Sequence, residues 1–200
     1  MAVSQPKHRT QIPLFDALDG ARVRIRPFQV ADAGAHFAAI EESRERIGRW
    51  LPWVPAYESV DDSRDTLARM RARWLLREDF DMGLFDRQSG ALLGGIGFHP
   101  RNWASGYFEI GYWLRTSAEG QGYVTEAVRL LTDHLFASLD AHRVEICCDA
   151  CNARSAAVAE RAGFIREARL RNARRGADGV LSDTLVFALT DLDDHTSPHP

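Results

Sequence analysis

The chain has 200 residues, 45% of them hydrophobic and 26% charged, with a net charge of −3. That size supports one domain with a real hydrophobic core, and the small negative charge gives no electrostatic ground for direct nucleic-acid binding. The opening MAVSQPKHRTQ lacks an apolar signal core, no run is long enough to span a bilayer, and three cysteines cannot all pair, so a cytoplasmic protein without a membrane segment is expected.

Residues 1–18 read as a flexible lead-in, polar and Pro-containing. The alternation in RVRIRPF predicts a first strand near residues 22–28. Asp32 is placed to cap a helix over Ala33 to Ile47. The segment Gly48 to Tyr57, with two prolines and the aromatics Trp50, Trp53 and Tyr57, breaks it. A second helix starts at Asp61, Asp62 or Ser63 and reaches Arg77, with Leu67, Met70 and Trp74 at helical spacing. A hairpin follows: strand residues Met82, Leu84 and Phe85, a turn over Arg87 to Gly90, and a returning strand from Ala91 to Phe98. Residues 99–106 read as a loop, and Tyr107 to Leu114 as the central strand.

The next helix carries Val124, Ala127, Val128, Leu131, Leu135 and Leu139 on one face, and Gly120 and Gly122 lie where the turn becomes that helix. Strand Arg143 to Asp149, a short helix Asn152 to Arg161 stopped at Gly163, and strands Phe164 to Leu170 and Val180 to Leu189 complete the pattern. The last two are joined by the basic turn RNARRGADG, and residues 191–200 read as a disordered tail. No internal repeat or second domain is seen, and the element order gives a single mixed α/β domain.

The turn at Gly120 and Gly122 is the most informative feature. The first amides of a helix lack internal partners and sit at the positive end of its dipole, so a glycine turn there makes an anion cradle suited to a phosphate group. The same glycines also suit a plain tight turn between strand and helix.

Three segments carry a resemblance: EIGYWLRTSAEGQGYVTEA at 109–127, NARSAAVAERAGF at 152–164 and RWLPWV at 49–54. In their order and spacing they resemble the GNAT superfamily of acyl-CoA-dependent N-acetyltransferases, and most of all its RimJ/RimL-type branch, whose better-known members acetylate protein N-termini, notably those of ribosomal proteins. The resemblance covers residues 20–190 and makes 19–190 the catalytic domain. It implies the GNAT fold: a strongly curved, mixed and mostly antiparallel sheet of about seven strands flanked by helices. The central strand and the strand after its helix form a parallel pair in that fold and splay apart to admit the cofactor. One departure is plain. Glu119 stands where the family's phosphate loop usually has a polar or basic residue, and Val124 replaces its last small one. Backbone amides survive both changes, but a carboxylate at 119 should repel a phosphate.

The resemblance implies acetyl-CoA as acyl donor and no metal. Gly120, Gln121, Gly122, Tyr123, Val124 and Thr125 would hold the pyrophosphate, and Trp113, Leu114 and Arg115 the pantetheine arm, chiefly by backbone. Asn152 would hold that arm too, and Ser155 would stand near the sulfur as proton donor; Asn152 also suits a simple helix cap. Transfer to an amine needs a base and a polarised carbonyl. Glu109, a carboxylate in an otherwise apolar strand, is the first candidate base, and a salt-bridged strand position is the alternative. Trp50, Trp53 and Tyr57 either line the acceptor pocket or pack the loop onto the core.

The acceptor is expected to be a protein N-terminal amine; a small amine such as a polyamine, amino sugar or amino-acid derivative is the alternative, and a non-catalytic acyl-CoA-binding module a third reading. Many relatives in this branch form dimers, which leaves a homodimer open. His99 and His142 are secondary base candidates, Cys147, Cys148 and Cys151 read as free thiols, and the arginines at 166, 169, 171, 174 and 175 as a solvated face able to attract an acidic acceptor or the cofactor's 3′-phosphate.

Overall fold

A computed structural model describes residues 9–176 and 179–190. Its one sheet has eight strands: β1 (Leu18–Asp19), β2 (Val23–Pro27), β3 (Phe80–Asp86), β4 (Leu92–Asn102), β5 (Tyr107–Leu114), β6 (Arg143–Asp149), β7 (Ile165–Arg175) and β8 (Leu181–Leu189). They lie in the order β1-β2-β3-β4-β5-β6-β8-β7. Every pairing is antiparallel except β5 with β6. That parallel pair is short, running only from Tyr107↔Arg143 to Glu109↔Glu145, so beyond Glu109 the two strands part.

The helices are α1 (Ala33–Gly48), α2 (Val60–Leu76), α3 (Tyr123–Leu139) and α4 (Ala153–Arg161). The apolar face of α3 is buried as its spacing predicts: Ala127, Val128, Leu131 and Leu135 are fully covered. They join Ile25, Leu84, Phe98, Phe108, Ile110 and Ile146 in the main core. Covering a leucine or valine contributes about 1.5–3 kcal/mol, so this contact fixes α3 against the sheet. Residues of α1 and α2 pack with Phe28, Phe85 and Trp113 in a separate cluster, on the other face. In α2, a reciprocal cap sets the first turn: Ser59 N–H donates to Asp62 Oδ2 at 2.8 Å while Asp62 N–H donates to Ser59 Oγ at 3.4 Å.

The expected sheet of about seven strands has eight, since Leu18 and Asp19 pair with Ile25 and Arg24. Four expectations need correction. The basic turn over 171–179 is shorter, because β7 continues to Arg175. The lead-in is not loose from Ile12 onward. Ile12 is 3% exposed, and Phe15 meets Trp74 and His134 edge-on with centroids 5.0 and 4.6 Å apart, because apolar side chains here fill the gap between α2 and α3. The segment 99–106 is only partly a loop, since β4 continues to Asn102. Asp32 does not cap α1 with its side chain; its carboxylate instead takes two Arg26 donors at 2.7 and 2.8 Å and the Gln29 N–H. The expected tail at 191–200 lies outside the described residues. Among the described residues no helix is long and apolar enough to cross a membrane.

Candidate active site

The glycine turn is built from its strand outward. Arg115 N–H donates to Leu93 O at 2.8 Å and closes β5. The next turn is tied to α1: Thr116 N–H donates to Ser43 Oγ at 2.9 Å and Ser117 N–H to Glu42 Oε1 at 2.7 Å. Glu42 also takes Arg115 Nε at 2.9 Å, and that bond first, with Ser117's donors and Arg115's charge, drops its carboxyl to about 2. Gly120 and Gly122 then adopt φ of +77° and +80°, a left-handed backbone that side chains disfavour. Gly122 is the N-cap of α3, so the helix's first amides face outward beside it.

A shallow groove of about 480 Å³ runs past this point, lined by Arg22, Gly122, Thr125, Glu126, Arg129 and Arg161. Thr125 Oγ1 is buried there without a hydrogen-bond partner. Arg22 pins the turn, donating to Gln121 O at 2.8 Å and to Glu126 Oε2 at 2.9 Å. An outward glycine backbone, a cationic wall and an orphaned hydroxyl together suit a phosphate-bearing ligand.

Glu119 does not stand as a bare repelling charge. Arg46 of α1 reaches its Oε2 at 2.8 Å and its Oε1 at 2.9 Å, and Arg154 of α4 pairs with the same carboxylate. Two guanidiniums on one carboxylate leave the cluster net positive. The expected repulsion is offset by partners 73 and 35 residues away in sequence.

The split between β5 and β6 opens next to α4. Asn152 caps that helix, accepting Ser155 N–H at 3.2 Å on Oδ1, so the capping alternative holds for its carbonyl oxygen. Ser155 Oγ lies 3.0 Å from Tyr112 Oη, which also donates to Ser155 O at 3.0 Å. Burial raises Tyr112 far above the usual phenol range, so it stays protonated and can donate. Trp113 points the other way. A Cβ on Gly95 would lie 2.3 Å from its indole Nε1, so the ring lies flush on β4. Leu114 packs against the main core.

On the α1/α2 face, Trp53 meets Tyr57 and Trp113 edge-on at 5.5 and 6.1 Å, and His36 joins them at 5.4 Å from Tyr57 and 5.7 Å from Trp113. Tyr57 is buried to 6% exposure, and Arg44 pins the loop by donating to Tyr57 O at 2.5 Å and Val54 O at 3.2 Å. Trp50 is half-buried and outside the apolar clusters. The three loop aromatics therefore divide: Tyr57 is core, Trp53 bridges core to surface, and Trp50 stays half-buried outside the clusters.

Beyond them lies a polar row. Glu109 Oε2 accepts from Arg101 Nε at 2.9 Å and Nη2 at 2.6 Å, the salt-bridged geometry held open as the alternative to a free base. His99, its cross-strand partner, places Nδ1 2.5 Å from Asp79 Oδ1. Arg73 joins Asp79 at 3.0 Å and Asp81 at 2.6 Å. Cys147 is half-buried on β6, and burial, then the Glu109 and Glu145 carboxylates, raises its thiol to about 12. His142 is exposed.

The acetyltransferase (GNAT) domain model matches residues 22–165. The chain belongs to this family. It is thus an N-acetyltransferase of the GNAT type. Over 177 residues, 88% of this chain and 95% of the relative, it is 30% identical to the putative ribosomal N-acetyltransferase YdaF of Bacillus subtilis. Over 124 residues, 62% of this chain and 68% of the relative, it is 39% identical to the ribosomal-protein-serine acetyltransferase of Escherichia coli. Mycobacterium smegmatis RimJ, solved in complex with CoA-disulfide, superimposes with a TM-score of 0.82 at 24% identity, covering 91% of this chain and 90% of that one.

In this GNAT enzyme, sequence reasoning missed two partners. Tyr112 was legible only as one more strand aromatic; its bond to Ser155 spans 43 residues. Asp79 sits in a turn between α2 and β3, and only the hairpin register brings it to His99. Neither has a local sequence signal.

Proposed function

We propose that this chain transfers an acetyl group from acetyl-CoA to the α-amine at a protein N-terminus. One observation carries the reading. The β5–β6 pair parts after Glu109, and the resulting slot has the Gly122 helix start at one end and Ser155 on its flank. A slot of that form suits a thin pantetheine arm, with Gly120 to Thr125 and the Arg46–Glu119–Arg154 cluster near the pyrophosphate. Acetyl-CoA supplies the activated acetyl group as a thioester. The exposed β5 edge from Trp113 to Arg115 offers backbone groups to the arm's amides, as a sheet edge does to a peptide. Ser155, bonded to protonated Tyr112, is placed to return a proton to the departing sulfur, and Asn152 holds the turn that positions it.

Two things favour a protein end as acceptor. Relatives carry ribosomal-protein acetyltransferase names. In addition, half-buried Trp50 and Trp53 leave apolar surface on the loop after α1 that an extended chain end could cover, with Tyr57 buried behind them.

The test is incubation with acetyl-CoA and a panel of N-terminal peptides and small amines, read by mass spectrometry. Acetylated peptide α-amines support the reading. Products confined to small amines would move the acceptor class. Coenzyme A binding with no product on any amine would leave a binding module.

A further inference from the structure

The first residue past the split on the α1/α2 face of β5 is Gly111, two beyond Glu109. It brings no side chain, and the neighbouring strand leans into that space: a Cβ on Gly111 would sit 3.3 Å from His99 Nε2. The His99 side chain is 29% exposed, so part of the ring is open to solvent, while Nε2 overlies Gly111 past the last β5–β6 pair. The other ring nitrogen is committed to Asp79, and Asp79 is itself held. Its Oδ1 also accepts Phe80 N–H at 3.2 Å, and its Oδ2 meets Arg73 Nη1 at 3.0 Å. An ionised carboxylate against Nδ1 makes that nitrogen the N–H donor, which leaves the lone pair of the neutral ring on Nε2. Glu109, by contrast, gives Oε2 to both Arg101 donors, so that oxygen is already engaged.

We propose that His99, oriented by Asp79, takes the proton from the acceptor amine; this rests on the acetyltransferase reading above. As the amine lone pair forms the new N–C bond, the C–S electron pair leaves on sulfur. The proton lost by nitrogen goes to His99 Nε2 and then to solvent, and the sulfur becomes a thiol by taking one from Ser155, itself restored from solvent. Asp79 is a positioning residue.

The charged groups facing His99 are Asp79 from the α2–β3 turn, Arg73 from α2, Asp81 from β3, Arg101 from its own strand and Glu109 from β5. Burial disfavours its charged form, but the Asp79 bond and the carboxylates of Asp79, Asp81 and Glu109 outweigh that, so His99 titrates above the usual histidine value. A base must be neutral to act, so kcat rises with pH through that raised value.

The experiment uses the full chain. Histidine ¹⁵N NMR of the free protein reads the tautomer, calorimetry reads coenzyme A affinity, and kcat is followed against pH on the best peptide for wild type, His99→Gln, Asp79→Asn and Glu109→Gln. The expected results are an Nδ1–H tautomer for neutral His99 and a kcat about 100-fold lower in His99→Gln. That variant loses the acid limb yet binds coenzyme A as wild type does. Asp79→Asn keeps a limb, moved to lower pH. Imidazole restores turnover to His99→Ala. Unchanged kcat and limb in His99→Gln, an Nε2–H tautomer, or loss of the limb in Glu109→Gln alone would each overturn the proposal. A wild type that acetylates no amine sinks the transferase reading and the proposal with it. An active wild type with an indifferent His99 sinks the proposal alone.

Discussion

The two ends of the slot are held together in different ways. At the start of α3 the work is done by backbone: two left-handed glycines and outward amides, with side chains only bracing the turn. On the acceptor face the work is done by side chains, in the row Arg73, Asp79, His99, Arg101, Glu109 and in the aromatic group around His36. The first kind of site is indifferent to protonation but intolerant of a Cβ. The second tolerates changes of size better than changes of charge. Each can therefore be broken by a means that spares the other.

The largest expected effect is on the side-chain face. His36 is 1% exposed, faces Ser63 Oγ at 3.0 Å, and is pushed down to about 4, first by burial, with Asp32 opposing. Its folded value is below its unfolded value, so the unfolded chain binds the proton more readily. The stability it allows is full above the unfolded value near 6.5 and is lost as pH falls toward 4. Between pH 7 and pH 4.5 this amounts to about 2–3 kcal/mol. Urea unfolding of wild type and His36→Gln at both pH values should show the wild-type loss exceeding the variant's by that amount. Equal losses would mean the imidazole stays neutral or finds water. His99 has the opposite sign: its raised value lends stability below pH 6.5 that fades as pH rises through its folded titration.

The backbone end should answer to Gly122→Val. A β-branched residue at φ +80° is strained, and its Cβ would come within 3.4 Å of Arg22 Nη2. Coenzyme A affinity should drop about tenfold, ~1.4 kcal/mol, by calorimetry. Wild-type affinity in a folded variant would contradict the cradle.

The same contrast explains what the sequence disclosed. Gly120 and Gly122 were legible because a left-handed turn before a helix needs that residue type locally. The burial of Leu131 and Leu135 was legible because helical period puts them on one face. The β5–β6 split entered only through family likeness, since no spacing encodes where a parallel pair stops. The Asp79–His99 and Tyr112–Ser155 contacts were invisible, because each joins residues 20 or more apart that only sheet register brings together. The lead-in was misread for a related reason: Ile12 and Phe15 show no period, and their burial depends on a gap that α2 and α3 create.

The smallest expected effect probes the place where the two kinds of site meet. Glu119 belongs to the glycine turn, yet its carboxylate bridges Arg46 and Arg154, which are 44% and 69% exposed. Exposed pairs of this sort contribute about 0–1 kcal/mol, so losing them costs the fold little. Glu119→Gln removes a negative charge beside the cradle and frees two guanidiniums for a pyrophosphate. Coenzyme A should bind about threefold more tightly, with a steeper dependence on salt, since two more cations then face the ligand. Weaker binding in this variant would mean that the carboxylate organises the turn through its arginines, and the backbone end would then depend on charge after all.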